Sequence, residues 1–177
     1  PNHPFSCYFS FTSNVDEHFL RVFPKNKVLE CHGSVMRQQC HETTSLGDTS
    51  HGVWHLKPEE FLSQVKFDPQ TFRIINDQAL PKCPTCNGLA RPNTLMFNDS
   101  YWVSDVHDEQ EECMIQFVES MAMMKNNSDC FKNLLSADGL QVVVIEIGAG
   151  EAVPTVRRFS EQMARQYNGT LIRINLA

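Results

Sequence analysis

No apolar run in the sequence approaches the roughly 18–20 residues needed to span a bilayer. No secretory leader is visible at its start, so neither a membrane span nor export is expected. A basic block is also missing and the net charge is −6, so nucleic acid is not expected as a partner. A disulfide framework is lacking too. The seven cysteines are an odd number, spread out apart from one C-x-x-C pair, which reads as reduced, intracellular cysteine with a metal site. There is no internal repeat and no low-complexity segment. The chain opens on Pro1 without a Met, and a fragment or processed chain is expected.

What is present suits an ordinary globular protein. The 177 residues are 41% apolar and 20% charged, enough for one domain or a small two-lobed one with a real core. A mildly acidic surface would tolerate a basic peptide partner.

The stretch around which the rest is organised is Val28–Cys40, which places a His32-Gly33 pair at the end of a short apolar run. An imidazole exchanges protons near neutral pH, so His32 is the first candidate for chemistry. Gly33 lets backbone or ligand approach closely. The competing reading is a histidine that caps a strand end beside a turn.

Secondary structure follows from pattern. Strands are expected at Cys7–Asn14, Val28–Glu30, Phe72–Ile75, Asn93–Phe97, Leu140–Ile147 and Thr170–Asn175. Asn14-Val15-Asp16 then stands at a strand's carboxyl end, where open α/β sheets bind ligands. Glu17–Val22 reads as a short helical turn and Pro58–Leu62 as a short helix opened by Pro. Thr43–Gly52 and Asn126–Asp129 read as polar loops. Val106–Lys125 has an acidic start and a core-facing stripe of Met114, Phe117, Val118 and Met121, so a helix is expected. The β-branched run before Ile147 predicts a strand buried on both faces, hence a parallel sheet. Gly148-Ala149-Gly150 follows, then a helix over Thr155–Tyr167 ended by Gly169, then a strand, which makes a βαβ unit. The turn is only G-x-G, and Glu151 after it would repel a pyrophosphate. A sugar or nicotinamide is the easier guest, and a plain tight turn is the competing reading.

Cys83-Pro-Thr-Cys86 followed by Gly88 is a metal knuckle. Zinc takes four ligands, and Cys40 supplies a third. His51, His41, His55 and Cys31 compete for the fourth place, with His51 preferred. His41 adjoins Cys40, so its side chain starts out pointing elsewhere. Without metal the thiols would pack as small apolar groups. A metal lobe is expected over about 40–90.

Taken in order, these pieces resemble the sirtuin family of NAD-dependent protein deacylases. Thr12-Ser-Asn-Val-Asp16 is similar to the family's Thr-Gln-Asn-Ile-Asp, and Cys31-His-Gly-Ser34 to its His-Gly segment. The run from Cys83 through Arg91-Pro-Asn-Thr-Leu-Met-Phe-Asn-Asp99 resembles the second zinc pair leading into an Arg-Pro…Phe-Gly-Glu loop. Gly148-Ala-Gly150 stands for Gly-Thr-Ser, and Ile174-Asn175 for Ile-Asn. The wording looks closer to a divergent, bacterial-type branch.

The resemblance implies an α/β fold, a Rossmann-like parallel sheet with a small zinc-ribbon lobe inserted. Residues 1–39 and 91–177 would form the NAD-binding lobe and 40–90 the zinc lobe. It implies NAD and Zn²⁺ as cofactors and an acyl-lysine protein or peptide as substrate, with a cytoplasmic or nuclear setting. His32 would be the general base. Ser13, Asn14 and Asp16 would hold the nicotinamide and its ribose, and Gly148, Ala149, Gly150 and Asn175 the adenosine side. Thr94, Met96, Phe97 and Asn98 would pair with the substrate by strand addition. Zinc would sit on Cys40, His51, Cys83 and Cys86.

The family's Gly-Ala-Gly-Ile-Ser and Asp-Phe-Arg segments would precede residue 1, leaving this chain the back part of a catalytic domain. Asn98 replaces a Gly of the family's loop; Asn accepts positive φ better than most residues. Ala149-Gly150 replace two hydroxyl residues. A non-catalytic sirtuin-like module, an NAD hydrolase or ADP-ribosyl transferase, and a zinc-ribbon interaction domain are the alternatives.

Overall fold

The computed structural model describes residues 7–42, 50–126 and 141–176. The readings made for Thr43–Thr49, Asn127–Asp129 and Leu140 lie outside the described residues.

Among the described residues, seven strands and three α-helices follow one another: β1 Ser10–Thr12, β2 Val28–Glu30, β3 Gly33–Cys40, β4 Val53–His55, α1 Pro58–Leu62, β5 Ala90–Thr94, α2 Asp105–Asn126, β6 Val143–Ile147, α3 Thr155–Gln166 and β7 Thr170–Ile174. Short 3-10 turns cover Phe19–Arg21, Lys25–Lys27 and Asp77–Ala79. The class is mixed α/β with parallel pairs. β1 runs parallel to β2 and β6 parallel to β7, while β4, β3 and β5 form an antiparallel sheet in that order. Among the described residues the strands thus form two parallel pairs and an antiparallel triplet.

The helices follow their sequence signals. α2 begins on Asp105 and Asp108, carboxylates that suit the positive end of a helix dipole. Its Met121 packs with Met163 and Tyr167, and Phe117, Val118, Val142, Val144 and Phe159 close that cluster. The Tyr167 hydroxyl donates to Val118 O at 3.0 Å, so the ring's polar end is satisfied inside the core. α3 ends through Asn168 at φ +50 and not through Gly169. Gly169 is needed for space, because a Cβ there would lie 2.7 Å from Val142 O.

Four local expectations are corrected. The first strand is short, Ser10–Thr12. Phe72–Ile75 is not a strand: Asp68 Oδ1 accepts the amides of Gln70 and Thr71, and Phe72 sits exposed at φ +55 in a tight turn. The expected Asn93–Phe97 strand lies earlier, at Ala90–Thr94. Its partner β3 starts at Gly33, opposite Thr94, so the ladder has no further rungs to offer. The run before Ile147 is buried on one face, not both. Val143, Ile145 and Ile147 are 53–71% exposed, and their register partners Ile172 and Ile174 share that face. The other face, with Val144 and Glu146, packs against α3 and the core cluster.

β3 has too little apolar periodicity to be read from its sequence. Its Arg37, Gln38 and Gln39 are all buried and partnered. Gln39 Nε2 donates to Tyr101 O at 2.7 Å, while its Oε1 accepts from Asn93 Nδ2 at 2.9 Å and Val103 N at 3.1 Å. Asn93 Nδ2 also donates to Val103 O at 2.8 Å. These bonds fix the return of the chain after β5.

Candidate active site and metal centre

The parallel pairing of β1 with β2 determines where the candidate catalytic groups emerge. Thr12 lies opposite Glu30, and Cys31 N donates to Thr12 O at 2.9 Å, so Asn14 and His32 leave at the same edge. Val35 N donates to Val15 O at 2.9 Å and holds the Asn14–Asp16 segment against the start of β3. Leu95 N donates to His32 O at 3.0 Å, which brings the end of β5 to the same place. Ser13, Asn14, Asp16, His32 and Thr94 are therefore gathered at one edge.

His32 is half-buried, and its Nδ1 has no hydrogen-bond partner among the described residues. Asn14 is exposed, and its N donates to Thr12 Oγ1 at 3.1 Å. Asp16 is engaged locally: Oδ1 accepts His18 N at 3.0 Å and Oδ2 lies 3.4 Å from His18 Nδ1.

Beyond Thr94 the chain leaves the sheet with Met96 61% and Phe97 87% exposed. Asn98 stands at φ +58, the conformation for which a Gly would be the default residue. A two-pronged ion pair closes this loop, Arg91 Nη1 to Asp99 Oδ2 at 2.7 Å and Nη2 to Oδ1 at 2.9 Å. Burial would raise the Asp99 pKa, but the Arg91 hydrogen bonds and charge, with the Met96 and Tyr101 amides, hold it below the usual carboxylate value.

The glycine turn forms a second cluster. Gly148 N donates to Ile174 O at 2.9 Å, and Asn175 Nδ2 donates to Ala149 O at 3.1 Å. Gly148, Ala149, Gly150 and Asn175 thus meet at the carboxyl ends of β6 and β7, ahead of α3. A ring stack ties α3 to β1, with the Phe11 and Phe159 centroids 4.2 Å apart.

At the other end of β3, Cys40 meets the knuckle. Asn87 N donates to Cys83 O at 2.9 Å and Cys83 N to Gly88 O at 2.8 Å, closing a turn that presents both knuckle thiols. Cys40, His51, Cys83 and Cys86 place their donor atoms within 4.8 Å of one another. Cys40 Sγ is 3.6 Å from Cys86 Sγ, and Cys83 Sγ is 3.6 Å from His51 Nδ1. Zinc–sulfur bonds of about 2.3 Å in a tetrahedron would set sulfurs about 3.8 Å apart, so the group fits Zn²⁺. The competitors are placed elsewhere: Cys31 is buried at the β2–β3 turn, and His55 Nδ1 lies 3.9 Å from Glu17. Burial pushes the Cys40 thiol up to about 11. At Cys83 burial acts the same way but is outweighed by the Cys86 and Thr85 amides and the two neighbouring thiols, which bring it down to about 7. Cys83 is thus readier than Cys40 to become the thiolate that a metal requires.

Sequence reading missed a buried cluster beneath the edge, Glu17, Glu30, Arg37 and Gln110. Polar residues scattered from Glu17 to Gln110 give no local signal. A second group, His107, Asp108 and Glu111, opens α2. Ser104 Oγ donates to Asp108 at 2.8 Å and His107 Nδ1 pairs with it at 3.2 Å, so these side chains finish the helix start.

No family model matches the chain. Over 88 residues it is 27% identical to an NAD-dependent protein deacylase of Thermococcus kodakarensis, a match spanning 50% of this chain and 28% of that protein. A solved structure of a mutant Sir2 homologue in complex with ADP-ribose covers 92% of this chain, with 18% identity and a TM-score of 0.44; the chain spans 46% of it. The sequence similarity supports a sirtuin-like relationship at modest identity.

Proposed function

We propose that this chain is part of an NAD-dependent protein lysine deacylase of the sirtuin type. One observation carries the reading: His32, the Asn14–Asp16 segment and the start of the Leu95–Asn98 loop meet at one edge through backbone bonds of 2.9–3.0 Å. The similarity to a deacylase agrees with it. In this reading residues 1–39 and 91–177 make the nucleotide lobe, 40–90 the metal lobe, and the setting is intracellular. None of the described helices is long and apolar enough to cross a membrane.

When bound, NAD supplies the electrophilic ribose carbon and a nicotinamide leaving group. The residues of this chain bind and move protons around it. Asn14 and Ser13 offer polar side chains to the nicotinamide and Asp16 a carboxylate to its ribose. The Gly148–Gly150 turn and Asn175 offer backbone and amide groups to the adenosine side. Thr94, Met96, Phe97 and Asn98 receive the acyl-lysine peptide as an added strand. His32 takes a proton from a ribose hydroxyl, a role suited to a half-buried imidazole whose Nδ1 has no other engagement among the described residues. Zinc on Cys40, His51, Cys83 and Cys86 is structural, because a full set of protein ligands leaves no open position.

The experiment is nicotinamide release from NAD with an acyl-lysine peptide. His32→Ala should lower turnover by roughly 10²–10⁴-fold, the effect of a lost general base, with NAD affinity nearly unchanged. Equal release by both proteins removes His32 from the mechanism. NAD binding without release by either points to a non-catalytic binding module.

A further inference from the structure

A buried carboxylate, a half-buried one and a buried guanidinium lie under the gathered strand ends. Arg37 on β3 is 6% exposed and reaches Glu17 with Nη1 at 3.0 Å and Glu30 with Nη2 at 2.8 Å; those side chains are 15% and 1% exposed. Glu17 directly follows Asp16, and Glu30 stands two residues before His32. From α2, Gln110 completes the set. Its Oε1 accepts Glu30 N at 2.9 Å and its Nε2 donates to Glu30 Oε2 at 3.3 Å.

We propose that Arg37 is a positioning residue that locks the Asn14–Asp16 segment and the His32 turn into one fixed geometry; this rests on the function proposed above. Stability alone does not account for the arrangement. Two carboxylates against one guanidinium leave a formal charge of −1, with the exposed His55 3.9 Å from Glu17 as the nearest further basic group, and apolar replacements of such clusters are often as stable. The cluster serves geometry instead. Glu17 is held at φ +57, a conformation that a non-glycine residue keeps only when its surroundings fix it. A planar guanidinium fork can address two carboxylates on two segments at once, whereas an ammonium is a single point charge. The backbone bonds Cys31 N to Thr12 O and Val35 N to Val15 O run over the same junction.

The test uses Arg37→Lys, which keeps the charge and loses the fork, and Glu17→Gln. The second change falls on the least buried member and leaves Glu30–Arg37 as a neutral pair, so the fold persists. Nicotinamide release is measured against peptide and NAD concentration, with native-state amide exchange alongside. In an active wild type, both variants should lose roughly 10- to 100-fold in kcat, the scale of a misplaced catalytic group, with the peptide KM within about twofold. An unchanged kcat, or a loss appearing in KM alone, overturns the proposal. A complete domain, with its upstream segments restored, that neither binds NAD nor releases nicotinamide refutes the proposed function, and exchange then decides on Arg37. The Cys31 and Val35 amides should speed up together in Arg37→Lys; unchanged or unlinked exchange overturns the positioning role.

Discussion

Gly33→Ala tests the junction between the catalytic edge and the loop after β5. Gly33 sits at φ +71, where an L-residue is strained by about 1–2 kcal/mol. The added Cβ would lie 2.2 Å from Asn93 O, 3.2 Å from Asn93 C and 3.4 Å from Thr94 Cα. All three are backbone atoms of β5, so no side chain can swing aside. Real Cβ atoms essentially never come within 3.0 Å, so β3 and β5 must part by at least 0.8 Å, from 2.2 to 3.0 Å. Overpacking of this kind costs about 1–3 kcal/mol. The sum is roughly 2–5 kcal/mol, a large share of the 5–15 kcal/mol typical of a domain. For a chain of this size it corresponds to a fall in Tm of roughly 5–20 °C. Denaturant unfolding and calorimetry of both proteins measure it. Zinc content should stay the same, because Cys40 lies at the far end of β3. A loss below about 1 kcal/mol would refute the close approach of β3 and β5 at this point.

Other expectations follow from the ion pair and the metal group. Asp99 is held below the usual carboxylate value when folded, so its stabilisation is present above the unfolded value and lost as pH falls through the folded one. Asp99→Asn should cost roughly 1–2 kcal/mol at neutral pH, toward the low end because Arg91 is 22% exposed. That difference from wild type should shrink in acid; a pH-independent difference in denaturation midpoints would contradict it. Elemental analysis of protein prepared without chelator should find about one zinc per chain, lost in Cys83→Ser. Less than about a tenth of an equivalent in wild type would remove the zinc assignment. Adding chelator should lower the melting temperature, since metal binding to the folded state is folding free energy.

Sequence alone determined the features that are local. The His32-Gly33 pair, the Cys83–Cys86 knuckle, the Pro58 helix start, the acidic opening of α2 and the glycine turn before α3 are each set by neighbouring residues, through backbone freedom, capping, dipole and metal-ligand spacing. Asn98 could be read as accepting positive φ because that property belongs to the residue itself. His51 lies with the three cysteines, all four donor atoms within 4.8 Å of one another. Tertiary structure decided what depends on partners distant in sequence. β3 is held as a strand because Gln39 finds hydrogen bonds on Tyr101 and Val103, and Arg37 a hydrogen bond on Glu30 and an ion pair with Glu17, and no periodicity announces that. β5 stops at Thr94 because its partner begins at Gly33. The Ile147 face is exposed because helix packing covers one side of β6 and β7 among the described residues, whereas a β-branched run reads the same whether one face is covered or two. The meeting of Asn14, His32 and Thr94 depends on strand order, which is a property of non-local pairing and is not written in any short stretch of the chain.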